Sequence, residues 1–268
     1  MKTKKYIVDT TLRDGEQGPG FAMTKEQKVC IANLLDEIGV YQIEAGIPAI
    51  GEYEIDTINE IYNNKKNAKI SVWSRLNEDD IKLASKCKID ILHISVPISY
   101  PQIYSKLNKN KAWILKEINK CIELAKSYNV EITIGFEDAS RADITFMLTV
   151  AEKLKQMGIN RIRFADTVGV LNPSKCSRAI EDLIKYAGVE IEMHAHNDLG
   201  MAVANSISAA KSDAKYIDTT ILGIGERAGN CNFSQLIYAS DRIFDWGISY
   251  LDCLEVEKIF SSTIKYYS

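Results

Sequence analysis

Residues 161–195 open with Arg161-Ile162-Arg163-Phe164-Ala165. They turn through Asn172-Pro173-Ser174 into a run that ends at Ala187 and Gly188, and close with Glu190-Ile191-Glu192-Met193-His194-Ala195. The two flanking runs are short and alternate apolar with polar residues, as strands do. Asn172 suits a helix N-cap, Pro173 the first helical turn and Gly188 the stop. A strand, a helix and a strand in this order make a parallel pair with a helical crossover.

The same unit recurs outward along the chain. Strand-like runs stand at Tyr6–Thr10, Tyr41–Ala45, Lys69–Trp73, Ile91–Val96, Glu131–Phe136 and Tyr216–Ile221, which with the two above makes eight. Thr24–Ile38 reads as a helix, with Thr24 and Gln27 as a capping box and Gly39 as its end. Asp143–Met157 repeats this and stops at Gly158. Eight runs in 268 residues give a repeat of about 33 residues, the size of one βα unit. The fold class is therefore α/β, a closed (β/α)8 TIM barrel over residues 1–250, with residues 251–268 a short helical extension. An open doubly wound sheet is the alternative. It would carry a glycine-rich turn after its first strand, where this chain has Thr-Leu-Arg-Asp-Gly-Glu-Gln.

Composition narrows the function. Apolar residues make up 46% and charged residues 26%, with a formal net charge of −3. No basic excess is present to neutralise a phosphate backbone, which argues against nucleic acid as a partner. No apolar run approaches the roughly 18 residues of a membrane helix. The apolar stretch Tyr6–Val8 is too short for a signal-peptide core, so a cytoplasmic location is expected. The six cysteines form no C-x-x-C pair and read as reduced thiols.

In a barrel of this kind chemistry sits at the C-terminal ends of the strands. Strand seven ends in Glu192-Met193-His194-Ala195-His196-Asn197-Asp198, holding two of the three histidines. Residues i and i+2 of a strand share a face, so both imidazoles project together, as half of a divalent-metal site. Asp14, in Asp9-Thr10-Thr11-Leu12-Arg13-Asp14 after strand one, is a candidate third ligand. A mixed carboxylate–imidazole site suits Mg²⁺, Mn²⁺, Zn²⁺ or Co²⁺. The loop Gly223-Ile224-Gly225-Glu226-Arg227-Ala228-Gly229-Asn230 offers Asn230 as a further ligand, and its amides as a cradle for a coenzyme phosphate. Glu44, Glu137, Asp166-Thr167, and His93 with Ser95 add polar groups at other strand ends. Burying so many without partners would cost several kcal/mol each.

Two stretches carry a resemblance. Leu12-Arg13-Asp14-Gly15-Glu16-Gln17, followed after ten residues by Lys28, and Ile191–Ala202 around the paired histidines are similar to the two signatures of the acetyl-CoA condensing synthases. That group comprises the homocitrate, 2-isopropylmalate and citramalate synthases, with hydroxymethylglutaryl-CoA lyase a more distant relative. Ile134–Asp143 (IGFEDASRAD) and Gly223–Asn230 (GIGERAGN) resemble the nitrogen-fixation type of homocitrate synthase. The resemblance implies a divalent metal on Asp14, His194 and His196 with Asn230 nearby, and a 2-oxo acid chelating it. Acetyl-CoA is then the co-substrate, and Arg13 stabilises developing negative charge. Thr167 and Glu137 match positions that touch the 2-oxo acid and Glu44 an acidic position near the metal; Arg13, Glu137 and Thr167 are thus the expected catalytic residues, and Arg13, Gln17, Glu44, His93 and Thr167 the expected substrate contacts.

Two departures bear on substrate and partner. Where lysine-pathway homocitrate synthases carry an arginine for the distal carboxylate, this chain has Thr133, which cannot form a bidentate charge-assisted pair. The family also carries, past its barrel, a histidine that takes the acetyl-CoA proton. Here no histidine follows His196, and general-base help is worth about 10²–10⁴-fold. The expectation is one subunit of a split homocitrate synthase, with a second subunit supplying that segment. A stand-alone lyase or aldolase, using Cys231 just after the glycine-rich loop, is one alternative, and another 2-oxo acid such as 2-oxoisovalerate, pyruvate or oxaloacetate is the other. A non-catalytic subunit would be expected to show a decayed metal site.

Overall fold

A computed structural model describes residues 2–264. Eight parallel strands close into a barrel in sequential order: β1 (Tyr6–Asp9), β2 (Gln42–Glu44), β3 (Lys69–Arg75), β4 (Ile91–Pro97), β5 (Glu131–Glu137), β6 (Arg161–Asp166), β7 (Glu190–Ala195) and β8 (Tyr216–Thr219). β8 pairs back onto β1, Tyr216 opposite Tyr6 and Thr219 opposite Asp9. All eight strand-like runs of the sequence are barrel strands.

The helices α1 (Lys25–Glu37), α2 (Glu52–Asn64), α3 (Glu78–Ala84), α4 (Lys111–Lys126), α5 (Ile144–Gln156), α6 (Pro173–Ala187), α7 (Ala202–Lys211) and α8 (Phe233–Ser240) follow the strands in turn. Their ends obey local chemistry. Thr24 and Gln27 form the expected capping box. Asn172 caps α6 through Lys175 N, and Gly188 ends it in the left-handed region. Helix α9 (Tyr250–Thr263) begins where the sequence places an extension, and Gln27 of α1 donates to its Thr263 carbonyl at 2.7 Å. Residues 265–268 of that extension lie outside the described residues. A two-residue parallel pair, Thr3–Lys4 with Phe244–Asp245, and a π-helical turn at Pro101–Lys106 have no signal in the sequence pattern.

Strand alternation divides the core in two. Ile162, Phe164, Ile191, Met193 and Ile217 belong to the buried apolar core. The intervening Arg161, Arg163, Glu192, His194 and Asp218 are buried as well, and by strand parity they face the lumen. Branched apolar side chains usually fill such a lumen; here ion pairs fill much of it. Arg163 Nη2 lies 2.7 Å from Glu44 Oε2 and its Nε 3.0 Å from Asp218 Oδ2, and it also meets Glu192. Arg161 pairs with the other oxygen of Glu192 and stacks on Tyr216, 3.7 Å from the ring centre.

Lys28 ties the periphery to the mouth. It is 2% exposed, and its Nζ lies 2.9 Å from Glu54 Oε2 of α2 and 2.5 Å from Glu16 Oε2. Glu16 in turn accepts from Met23 N, and Glu54 from Ile47 N. One ammonium thus pins both the turn after β1 and the loop after β2. Removing one partner of a buried ion pair costs about 3–5 kcal/mol. Lys28→Met is expected to lower the unfolding free energy by about that amount in urea titrations. A loss below about 1 kcal/mol, the worth of an exposed pair, would show that this pin carries no weight.

Candidate active site

The turn after β1 places the first functional pair. Arg13, Asp14 and Gly15 N–H groups all return to the Thr10 carbonyl at 2.8–3.1 Å, which brings Arg13 and Asp14 over the barrel mouth. Strand β7 carries His194 at its end, and His196 follows. Ligand atoms of Asp14, His194 and His196 lie within 4.8 Å of one another, and all three residues are buried. His194 Nε2 stands 2.8 Å from Asp14 Oδ2, His196 Nε2 3.7 Å from the same oxygen, and the two Nε2 atoms are 3.3 Å apart. Three electron-rich atoms therefore converge on one point.

The donor set fits a cation there. Asn230 Oδ1 is a buried acceptor that receives no hydrogen bond, and Asp14 Oδ2 is buried facing both Nε2 atoms. The Asn230 amide nitrogen is spent on the Ile224 carbonyl at 3.0 Å, and the residue pairs with His196 in an antiparallel bridge. His194 Nδ1 lies 2.9 Å from Asp218 Oδ2. A proton on Nδ1 donated to Asp218 leaves Nε2 as the metal-facing nitrogen, the usual carboxylate–histidine–metal arrangement. Carboxylate, two imidazoles and an amide oxygen form a mixed N/O shell.

Electrostatics follow from this crowding. Burial disfavours charge on His194, but hydrogen bonds to Asp14 and Asp218 prevail and raise its pKa to about 9. Burial, and then the His194 charge, push His196 down to about 4. Burial opposes ionisation of Asp14, yet Arg13 and His194 hold it well below the usual carboxylate range. Glu44 is held at about 2 against burial by Arg13 and Arg163. Burial, followed by Arg163, keeps His93 neutral.

A cavity of about 630 Å³ opens above this cluster, lined among others by Arg13, Asp14, Gln17, His93, Glu137 and Thr167. The Arg13 guanidinium lies 5.9 Å from the Trp73 ring centre. Glu137 accepts from Ser95 Oγ and Lys106 Nζ, each at 3.3 Å. Thr167 Oγ1 accepts from Asp138 N at 2.8 Å. His93 Nδ1 is 2.9 Å from Thr133 Oγ1. A Cβ on Gly135 would stand 2.5 Å from His93 Nε2, so the glycine makes room for the ring.

Two expectations need correction. Glu44 does not line the cavity: it is fully enclosed, with its oxygens taken by Arg13 and Arg163, and it reaches the site only through them. And loop 223–230 turns half of its amides inward, so it offers a smaller cradle for a phosphate than its glycines suggest. The amides of Gly223, Ile224, Gly229 and Asn230 donate to Thr220, Ile221, Glu226 and Gly223 carbonyls. Its glycines permit self-packing instead; a Cβ on Gly229 would meet the Gly223 carbonyl oxygen at 2.0 Å. Arg227 of this loop grips Asp198 and the Thr167 carbonyl, joining the turns after β6, β7 and β8.

Sequence reasoning missed Asp218 and Arg163. The only signal was a charged residue at alternate positions of β6, β7 and β8. Cys231 is fully buried, and burial pushes its thiol to about 12.

The profile of the family described as HMGL-like matches residues 4–252. Over 231 residues the chain is 43% identical to the homocitrate synthase subunit alpha of Clostridium pasteurianum, covering 86% of each chain. It is 42% identical to the homocitrate synthase of Frankia alni, with 86% of this chain matching 66% of that one. It is 40% identical to 2-isopropylmalate synthase 2 of Caldanaerobacter subterraneus subsp. tengcongensis, with 91% of this chain matching 64% of that one. The chain thus spans just under two thirds of the last two relatives. The hydroxymethylglutaryl-CoA lyase of Pseudomonas aeruginosa superposes with a TM-score of 0.85 over 100% of this chain and 96% of its own, at 17% identity, and so shares the fold. With both signatures meeting at one barrel mouth and the family profile spanning nearly the whole chain, this protein belongs to the HMGL-like family.

Proposed function

We propose that the chain is the barrel subunit of a metal-dependent synthase that condenses acetyl-CoA with a 2-oxo acid, 2-oxoglutarate to homocitrate being the favoured reaction. The convergence of Asp14, His194 and His196 beside a fixed arginine carries this reading. The relatives named as homocitrate and 2-isopropylmalate synthases support it. Six unbonded cysteines suit the cytoplasm. No helix among the described residues is long and apolar enough to cross a membrane.

When bound, a divalent cation on Asp14, His194 and His196, with Asn230 beside them, supplies Lewis acidity toward the keto oxygen of the 2-oxo acid. Arg13 adds a permanent positive charge. Glu44 and Asp14 fix its guanidinium, so little reorganisation is needed as negative charge develops. Thr167 and Gln17 line the cavity and offer polar contacts to the 2-oxo acid, with Glu137 and His93 on the wall formed by β4 and β5. In the condensation the acetyl methyl loses a proton, the carbanion attacks the keto carbon, and hydrolysis of the thioester releases free CoA. Each histidine has another duty: His194 and His196 face the cation, and His93 is bonded to Thr133. A second polypeptide supplies the general base. The likeness to a chain named subunit alpha, matched over 86% of its length, supports that partition. The lyase reading gains no support from Cys231, whose buried, neutral thiol is a poor reactive group.

Two outcomes are expected. The chelator-stripped chain binds Co²⁺ with visible d–d bands, and His194→Ala weakens binding by more than about 100-fold, beyond the range for losing an outer-shell partner. Because cation and proton compete for His194, wild-type binding tightens as pH rises from neutrality toward about 9; binding that weakens over this range would contradict the assignment. In a thiol-release assay with acetyl-CoA and 2-oxoglutarate, the chain alone shows feeble turnover that rises on adding its partner. Full turnover by the single chain would refute the two-subunit reading, and turnover only with another 2-oxo acid would refute the choice of substrate.

A further inference from the structure

Arg163 is 2% exposed and touches none of the three converging ligands, yet it is bonded to the carboxylates that hold the site together. Its Nη1 and Nη2 donate to the two oxygens of Glu44 at 3.2 and 2.7 Å. Its Nε lies 3.0 Å from Asp218 Oδ2 and donates to Glu192 Oε1. Two of these carboxylates have a second duty. Glu44 Oε1 accepts from Arg13 Nε, and Asp218 Oδ2 lies 2.9 Å from His194 Nδ1. A continuous chain therefore runs from Arg13 through Glu44, Arg163 and Asp218 to His194. It joins β2, β6, β7 and β8 with the turn after β1.

We propose that Arg163 is a positioning residue that sets the distance between the metal half of the site and the charge-stabilising half. This inference rests on the metal-site reading given above. Arg163 also borders the cavity, but each of its three nitrogens is engaged by a carboxylate, so it acts through Glu44 and Asp218 rather than on substrate. The guanidinium is required for its shape. One planar fork reaches Glu44 with two parallel bonds while Nε addresses the opposite wall. A lysine ammonium has the charge but not the fork. Asp218 bonded to a displaced cation would no longer hold the His194 ring in its metal-facing orientation, and outer-shell losses of this kind cost about 10–100-fold in metal affinity.

The test titrates Co²⁺ into the metal-free wild-type chain, Arg163→Lys, Asp218→Asn and the double variant, reading affinity and the d–d spectrum, with circular dichroism as the check on folding. Arg163→Lys keeps the charge balance among the three carboxylates. It is expected to fold, to bind Co²⁺ about 10–100-fold more weakly and to shift the d–d bands. Because Arg163 acts through Asp218, the double variant loses no more than the Asp218→Asn variant alone. A folded Arg163→Lys variant within twofold of wild type, or losses that simply add in the double variant, overturns the proposal. A wild-type chain that binds no Co²⁺ overturns the metal reading first, and so separates the two failures. Should Arg163→Lys fail to fold, Glu44→Gln takes its place, since it removes the charge and replaces one of the two oxygens that accept from Arg163 with an amide donor. It is expected to weaken Co²⁺ binding several-fold, and unchanged affinity overturns the proposal. In the assembled enzyme, Arg163→Lys is further expected to raise KM for the 2-oxo acid, because Glu44, which fixes Arg13, loses its own two bonds to the fork. An unchanged KM would overturn the coupling to Arg13.

Discussion

A carboxylate enclosed in protein needs a cation or several hydrogen-bond donors in reach to stay ionised. Glu44, Glu192 and Asp218, all essentially without solvent contact, converge on the side chain of Arg163, with Arg13 adding to Glu44 and Arg161 to Glu192; Asp218, with the weakest share, is pushed up to about 7 by burial. The lumen depends on this pairing. It departs from the layered apolar filling common in such barrels, and a buried ion network is not in itself a source of stability. Apolar burial lies instead between sheet and helices, where Ile162, Phe164, Ile191, Met193 and Ile217 are enclosed. The division suits a catalyst. The outer layer holds the barrel closed, while the inner layer gives up apolar packing to hold charged groups in fixed directions.

That division explains what the sequence could and could not reveal. Strands were legible because their outward residues are apolar and their ends carry turn chemistry, as at Asn172-Pro173 and Gly188. The histidine pair was legible because a spacing of two residues on a strand is itself a geometric statement. Asp14 could be nominated as its partner because the turn after one strand and the end of another meet at a barrel mouth. Pairing inside the lumen was not legible. Glu44 and Arg163 lie 119 positions apart, and nothing local distinguishes a carboxylate that faces substrate from one that faces an arginine. Glu44 was read as the first and is the second. Asp218 gave only the faint signal of a charge within a strand, since its role is defined by the imidazole above it. In loop 223–230 glycines mark close approach of backbone, and at Gly223 and Gly229 the approaching group is the loop itself.

Strand β7 shows how the two layers are joined. Successive inward side chains on a strand are spaced by about 6.6 Å, and Glu192, His194 and His196 climb that ladder from the ion network to the mouth. Register with β6 sets Arg163 beside Glu192 and Ala165 beside His194. A charged neighbour at the lower step fixes the carboxylate; a small one at the upper step leaves space in front of the imidazole, where the cavity begins. The ion layer therefore sits one step beneath the cation site. The two cannot shift independently, because moving the pairing register of β7 by one residue would turn all three side chains away from the lumen.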